Sequence, residues 1–288
     1  MGEFHTLMAV GALLAAELLA GFALMRAGSR VGAWALVIAS VAAADWLARN
    51  ETPLLRMLIL IVALLYAMKA LVAVEERTTL PFGRWLIFAA IWFGMRASIF
   101  ARERRPREAG SVGRGLIAIA AGVAIVFAAT KIVKPWAFIP LVIGLSLILH
   151  FGLFNLDLAL LRRAGFDVKP LFVAPLGART LAEFWSRRWN VGFSEMTSLA
   201  VYRPLKKWNA PAATMAAFAF SGLLHEVAIS LPVRAGFGLP TLYFLIQGAA
   251  VLVERKLRPS RLRTLATLVI PIPLLGHPWF VRGMLASF

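Results

Sequence analysis

Two stretches combine residue types that can perform chemistry. The first is Leu181-Ala182-Glu183-Phe184-Trp185-Ser186-Arg187-Arg188-Trp189-Asn190, a charged segment with two tryptophans. The second is Phe220-Ser221-Gly222-Leu223-Leu224-His225-Glu226, which sets a histidine and a glutamate inside an otherwise apolar run. An imidazole in an apolar setting is uncharged, and a neutral imidazole is a competent general base. Asn190 supplies amide donors of the kind that stabilise a developing oxyanion in a dry site. The absence of cysteine excludes a cysteine-bound acyl intermediate and any thiolate metal site.

Those residues must be positioned by helices in lipid. Of 288 residues, 60% are hydrophobic, and the mean hydropathy is +0.79. Several apolar runs reach the ~20 residues that cross a ~30 Å hydrocarbon layer. The hydropathy predicts an all-α multi-pass integral membrane protein with about nine spans, near 6–25, 32–48, 54–74, 84–101, 115–130, 136–156, 211–231, 240–254 and 264–284. One membrane-embedded domain covers 1–288: N-terminal helices to 160, an insert over 161–209, and C-terminal helices over 210–288. Met1-Gly2-Glu3-Phe4-His5 lacks a basic segment and runs straight into the first span, so no cleavable signal is expected.

The net charge of +17 resembles that of a nucleic-acid binder until the charges are located. They lie between the apolar runs, as expected for contact with anionic headgroups, so no nucleic acid is expected as a partner. Nine alternating spans put Arg49, Arg56, the arginines from Arg102 to Arg114, the basic insert from Arg162 to Lys207 and the run from Arg255 to Arg263 on one side. By the positive-inside rule that side, and with it the N-terminus, is cytoplasmic. Alanine- and arginine-rich usage suggests a bacterial inner membrane. Within spans, Glu17, Asp45, Lys69 and Arg96 are costly charges that need partners or a path. His150 and Asp157 end the sixth span seven residues apart, on roughly one helical face.

Thr180 and Glu183 have the spacing of a capping box, so a helix starts at 181. On it, Glu183, Arg187 and Asn190 share one face and Trp185 and Trp189 another. Such a helix suits the headgroup layer or a re-entrant position. Ser221 and Gly222, one turn before His225, leave room for a substrate or a closely packed helix. Glu226 projects about 100° from His225 on the same helix and is expected to pair elsewhere, with Lys69 or Arg96 as candidates.

Thr180-Leu181, Glu183 to Asn190, Val201-Tyr202-Arg203-Pro204 and Ser221 to Glu226, in that order, resemble the wax-synthase branch of the membrane-bound O-acyltransferases. The resemblance covers about 150–232. It implies that His225 is the catalytic histidine, that Asn190 is the second signature polar residue, and that the donor is acyl-CoA and the acceptor a lipid-like alcohol. Trp185, Arg187, Arg188, Trp189, Ser221, Glu226 and His150 would then line the substrates. The coenzyme phosphates would meet Arg187, Arg188, Arg203, Lys206 and Lys207. No metal and no cofactor beyond the acyl-CoA co-substrate is expected. Residue types also narrow the field: there is no Gly-x-Ser-x-Gly elbow, and His225-Glu226-Val227-Ala228-Ile229 is not His-Glu-x-x-His. A transporter using Glu17, Lys69, Arg96 and His225 as a path is the alternative.

Overall fold

The computed structural model describes residues 3–105, 112–133 and 136–287. Among them every regular element is helical, as hydropathy demands, because a helix satisfies its own backbone groups in lipid. Helices α1 (Glu3–Ala27), α2 (Arg30–Leu47) and α3 (Pro53–Glu75) form an antiparallel triplet. Ser29 and Thr52 cap the second and third through their side-chain oxygens. Most of α3 is buried, so it is the helix around which the others gather. Helices α4 (Val112–Ala129) and α5 (Phe138–Arg163) pack on each other as a peripheral hairpin. After the insert come α6 (Ala210–Val233), α7 (Leu239–Glu254), α8 (Arg261–Val269) and α9 (Pro278–Ala286).

Among the described residues, six helices are long and apolar enough to cross a membrane, or up to seven if the pair bent by 70° at 274–278 is one span. Nine were expected, and the clearest departure is 84–101. Its helix Phe82–Ile91 stops where Trp92 turns extended, and the chain then doubles back. Ser98 N–H donates to Glu76 at 2.9 Å. Arg84 Nη1 donates to the carbonyls of Phe100, Ala101 and Arg102 at 3.0, 3.2 and 2.9 Å. Both ends of the segment therefore lie at the end of α3 that carries Glu75 and Glu76. It is a re-entrant hairpin, not a crossing.

This correction changes the parity of everything downstream. Arg56, near the start of α3, donates to the carbonyl of Pro232 at 2.8 Å, and Ser287 Oγ accepts from Leu54 N–H at 3.3 Å. The start of α3, the end of α6 and the end of α9 thus share one face. The opposite face carries Arg26, Arg30, Arg77 and Arg84 together with the basic insert and the run from Arg255 to Arg263. Arg49, Arg56, Lys131, Arg234 and Arg282 are left on the face with the N-terminus. Arg107 and Lys134 lie outside the described residues. The alternation that made the N-terminus cytoplasmic does not hold.

Candidate active site

The insert does not lie on the surface. It enters the bundle from the basic face, and its motif helix, 181–188, is fixed at both ends. At its start, Thr180 Oγ1 accepts from Glu183 N–H at 3.0 Å, as the capping-box spacing predicts. The return bond differs: Glu183 Oε2 accepts from Arg179 N–H at 2.8 Å. Glu254, at the end of α7, accepts from the N–H groups of Leu181 and Ala182, both at 2.7 Å. A carboxylate at a helix start meets unsatisfied donors and the positive end of the dipole.

From Phe184 to Arg188 the helix widens to a π-turn, and this changes the expected faces. Glu183 meets Arg188 five residues on, at 2.7 Å, instead of aligning with Arg187. Arg188 also donates to the carbonyls of Val173 and Ala174 at 3.3 and 3.0 Å. It is therefore occupied in stitching the loop 171–175 to the motif, whereas Arg187 is exposed. The Arg179 amide and the Arg188 guanidinium hold the Glu183 carboxyl below the usual carboxylate range.

Both tryptophans point inward. Trp185 packs on Phe218 and Phe244, and its indole N–H reaches Gln247 Oε1 at 3.4 Å. Gln247, fully buried, donates in turn to the Thr267 carbonyl at 2.8 Å. Trp189 joins His150, Phe172 and Phe184 in a ring cluster with centroids 5.0–6.0 Å apart. His150 is a member of that aromatic wall, its Nδ1 2.8 Å from Ser146 Oγ. Asp157 parts from it and approaches Lys69 closely enough for their charges to interact, because a wide turn over Leu147–Leu153 breaks the α-helical register between them.

Asn190 follows Trp189 at φ +41°, a left-handed conformation that asparagine adopts more readily than most residues. Its Oδ1 accepts from Phe193 N–H at 3.2 Å, capping Val191–Thr197. The amide nitrogen is left as a donor. The Phe193 ring lies against His225, centroids 5.6 Å apart. Phe193 is thus a neighbour of both Asn190, through its N–H, and His225, through its ring.

At 1.5 Å per residue, His225 lies about 22 Å along its helix from Ala210. Its Nδ1 is 2.7 Å from the Ser221 carbonyl. A carbonyl only accepts, so Nδ1 carries the proton and Nε2 the lone pair. No protein group among the described residues bonds Nε2. Phe244 flanks the ring at a centroid separation of 4.2 Å. Ser221 therefore contributes its carbonyl, while its hydroxyl turns back to Ala217. A Cβ on Gly222 would stand 2.7 Å from Thr241 Cα, so the small residue serves helix packing, not substrate volume.

Glu226 pairs with neither Lys69 nor Arg96. Its Oε1 accepts from Gly238 N–H, Thr241 N–H and Thr241 Oγ1 at 3.0, 3.0 and 2.8 Å, capping the start of α7. That leads α7 past His225 and sets Phe244 on the imidazole. Lys69, fully buried, donates to the carbonyls of Trp92 and Gly94, both at 2.6 Å, with its ammonium 4.4 Å from the Phe88 ring. It holds the tip of the re-entrant hairpin, and the tip abuts Gly192, where a Cβ would meet Gly94 Cα at 3.0 Å. Arg96 pairs with Glu195 at 3.1 Å, lining with Lys169 and Val191 a small, partly open crevice. Burial raises the Glu195 carboxyl above its ordinary range despite that arginine. Glu17 and Asp45 stay within the first three helices, so the intramembrane charges do not gather into one path.

Residues 168–246 match the membrane bound O-acyl transferase family, and this span holds the motif helix, Asn190, His225 and Glu226. Over this stretch the chain is similar to the membrane-bound O-acyltransferases. It is 34% identical over 100 residues to a long-chain-alcohol O-fatty-acyltransferase of Simmondsia chinensis, covering 31% of this chain and 28% of that one. It is 39% identical over 70 residues to probable long-chain-alcohol O-fatty-acyltransferase 6 of Arabidopsis thaliana, covering 22% and 20%. With probable long-chain-alcohol O-fatty-acyltransferase 2 of the same plant it shares 32% over 126 residues, 38% and 37% of the two chains. The matched stretch is under two-fifths of the length of each of these relatives. All three are plant proteins and lend no support to a bacterial inner membrane.

Phe193, Phe244, Glu254 and Lys69 shape the site without having been assigned to it from the sequence. Phe193 and Phe244 look like ordinary core residues in a chain that is 60% hydrophobic. Glu254 had a signal: a carboxylate ending an apolar run, with a basic cluster directly after it.

Proposed function

We propose that this protein moves an acyl group from acyl-CoA to the hydroxyl of a long-chain alcohol, with His225 as general base. The observation that carries the reading is the imidazole's orientation. Nδ1–H is committed to the Ser221 carbonyl, so Nε2 presents its lone pair deep in the bundle, beside the motif loop. There it takes the proton from the alcohol as the oxygen attacks the thioester carbon. The C–S bond breaks, and the same proton passes to the departing thiolate, so the imidazole ends neutral. The Asn190 amide donates toward the oxyanion, held by its bond to Phe193. Arg187, exposed at the mouth, meets the donor's phosphates with Lys206 and Lys207. Purified protein given a panel of acyl-CoAs and alcohols should release free thiol and form ester in equal amounts. Thiol release without ester would mark a hydrolase, and neither product would overturn the proposal.

The basic face is cytoplasmic in this reading, and the N-terminus lies on the other side. The chain has no cysteine, so single cysteines report cleanly. Thr79→Cys and Lys207→Cys should react with an impermeant maleimide from the same side, and Phe237→Cys from the opposite one. Labelling of Thr79→Cys and Lys207→Cys from opposite sides would restore a crossing at 84–101.

A further inference from the structure

Beyond His225, toward the face that carries the N-terminus, two buried polar atoms face the same small loop without partners. One is Glu226 Oε2, whose sister oxygen holds Gly238 and Thr241. The other is Nε2 of His277, a residue with no exposed surface. The loop between them is 234–238. Gly236, at φ +76°, lies flat on the imidazole, and a Cβ there would stand 2.5 Å from Nε2. Its carbonyl accepts from Ser230 Oγ at 3.4 Å. The imidazole is close enough to Glu226 for the carboxylate's charge to act on it.

The proton on His277 can be located. Its Nδ1 accepts from Phe280 N–H at 3.1 Å, capping α9, so the neutral ring carries its hydrogen on Nε2. An orphan donor and an orphan acceptor therefore lie against the same loop, 234–238, with no bond between them. Leaving both unmatched in the interior is unfavourable, because each group has given up its hydrogen bonds to water. A hydroxyl is the smallest group that satisfies both, accepting from the imidazole and donating to the carboxylate; an ammonium has nothing to accept with, and a carboxylate nothing to donate.

We propose that Glu226 Oε2 and His277 Nε2 form a buried hydroxyl-binding site that ties the C-terminal helix to the segment carrying His225. The hydroxyl has two sources, a resident water or the head of an alcohol ligand, and the chemistry is the same. This inference is independent of the acyl-transfer reading, because its readouts are density and melting temperature.

The decisive variant is His277→Asn. Asparagine keeps the helix cap but does not reach the carboxylate. With no ligand added, a high-resolution structure of the wild type should show density within about 2.7–3.0 Å of both atoms, absent in His277→Asn. The variant should melt lower, and the loss should shrink in a Glu226→Gln background, where the bridge to a charged oxygen is already gone. Adding 1-hexadecanol separates the sources. Density that stays isolated, with equal melting shifts in wild type and variant, identifies water. Density that continues into the chain, with a shift in the wild type alone, identifies the alcohol. No density from either source, together with strictly additive effects of the two substitutions, would overturn the site.

Discussion

Lys69→Met probes how the re-entrant hairpin supports the site. Methionine fills a similar volume but cannot donate. The substitution strips two carbonyls, Trp92 and Gly94, of donors held at 2.6 Å. Two bonds from a charged donor are worth about 1.5–3 kcal/mol each. Removing the ammonium also relieves the cost of burying it, which offsets part of that loss. Two hairpin carbonyls are left without donors, at about 1–3 kcal/mol each, for an expected destabilisation of about 2–5 kcal/mol. The damage should be local, because the tip contacts Gly192 and so the loop that presents Asn190. Thermal unfolding in detergent, with hydrogen exchange over 92–97 and 190–193, measures both. A melting curve superimposable on the wild type, with unchanged exchange at the tip, would refute the reasoning.

Four further outcomes follow from the contacts around the motif. Glu254→Ala removes the cap from Leu181 and Ala182 and should cost about 1–2 kcal/mol, with Glu254→Gln recovering part of it; equal stability of all three proteins would contradict the cap. Arg187→Ala should raise the KM for acyl-CoA in a salt-dependent manner, whereas Arg188→Ala should destabilise the insert; the reverse pattern would mean that the π-turn assignment of the two arginines is wrong. The depressed Glu183 carboxyl contributes stability that is present above its unfolded value and lost as pH falls through its folded one. Acid unfolding of Glu183→Gln should therefore be shallower than that of the wild type, and identical acid profiles would exclude the contribution. Gly192→Ala places a methyl 3.0 Å from Gly94 Cα and should lower kcat more than it lowers melting temperature; an unchanged kcat would detach the hairpin from the site.

Hydropathy and residue type made the helical membrane fold legible, along with the segment matched by the family. Thr180 and Glu183 announced the start of the motif helix. Four features were not legible, each for a physical reason. The hairpin 82–101 is as apolar as a crossing segment, and only the contacts of Glu76 and Arg84 show that both its ends emerge on one face. The pairing of Glu183 with Arg188 depends on a π-turn, and spacing rules written for 3.6 residues per turn select Arg187 instead. The partner of Glu226 is the backbone at the start of α7, and unsatisfied N–H groups at a helix start leave no mark in a list of charged residues. Lys69 was equally hidden: a buried ammonium invites a search for a carboxylate, and two carbonyls at a broken helix are its main partners.

The central claim is that His225 Nε2 takes the acceptor's proton. The direct measurement is ester formation by purified His225→Gln, which retains polarity and bulk but is not a base. General base catalysis contributes about 10²–10⁴-fold, so turnover should fall by that factor, with the melting temperature nearly unchanged and donor affinity intact. A His225→Gln protein that forms ester at the wild-type rate would contradict the account.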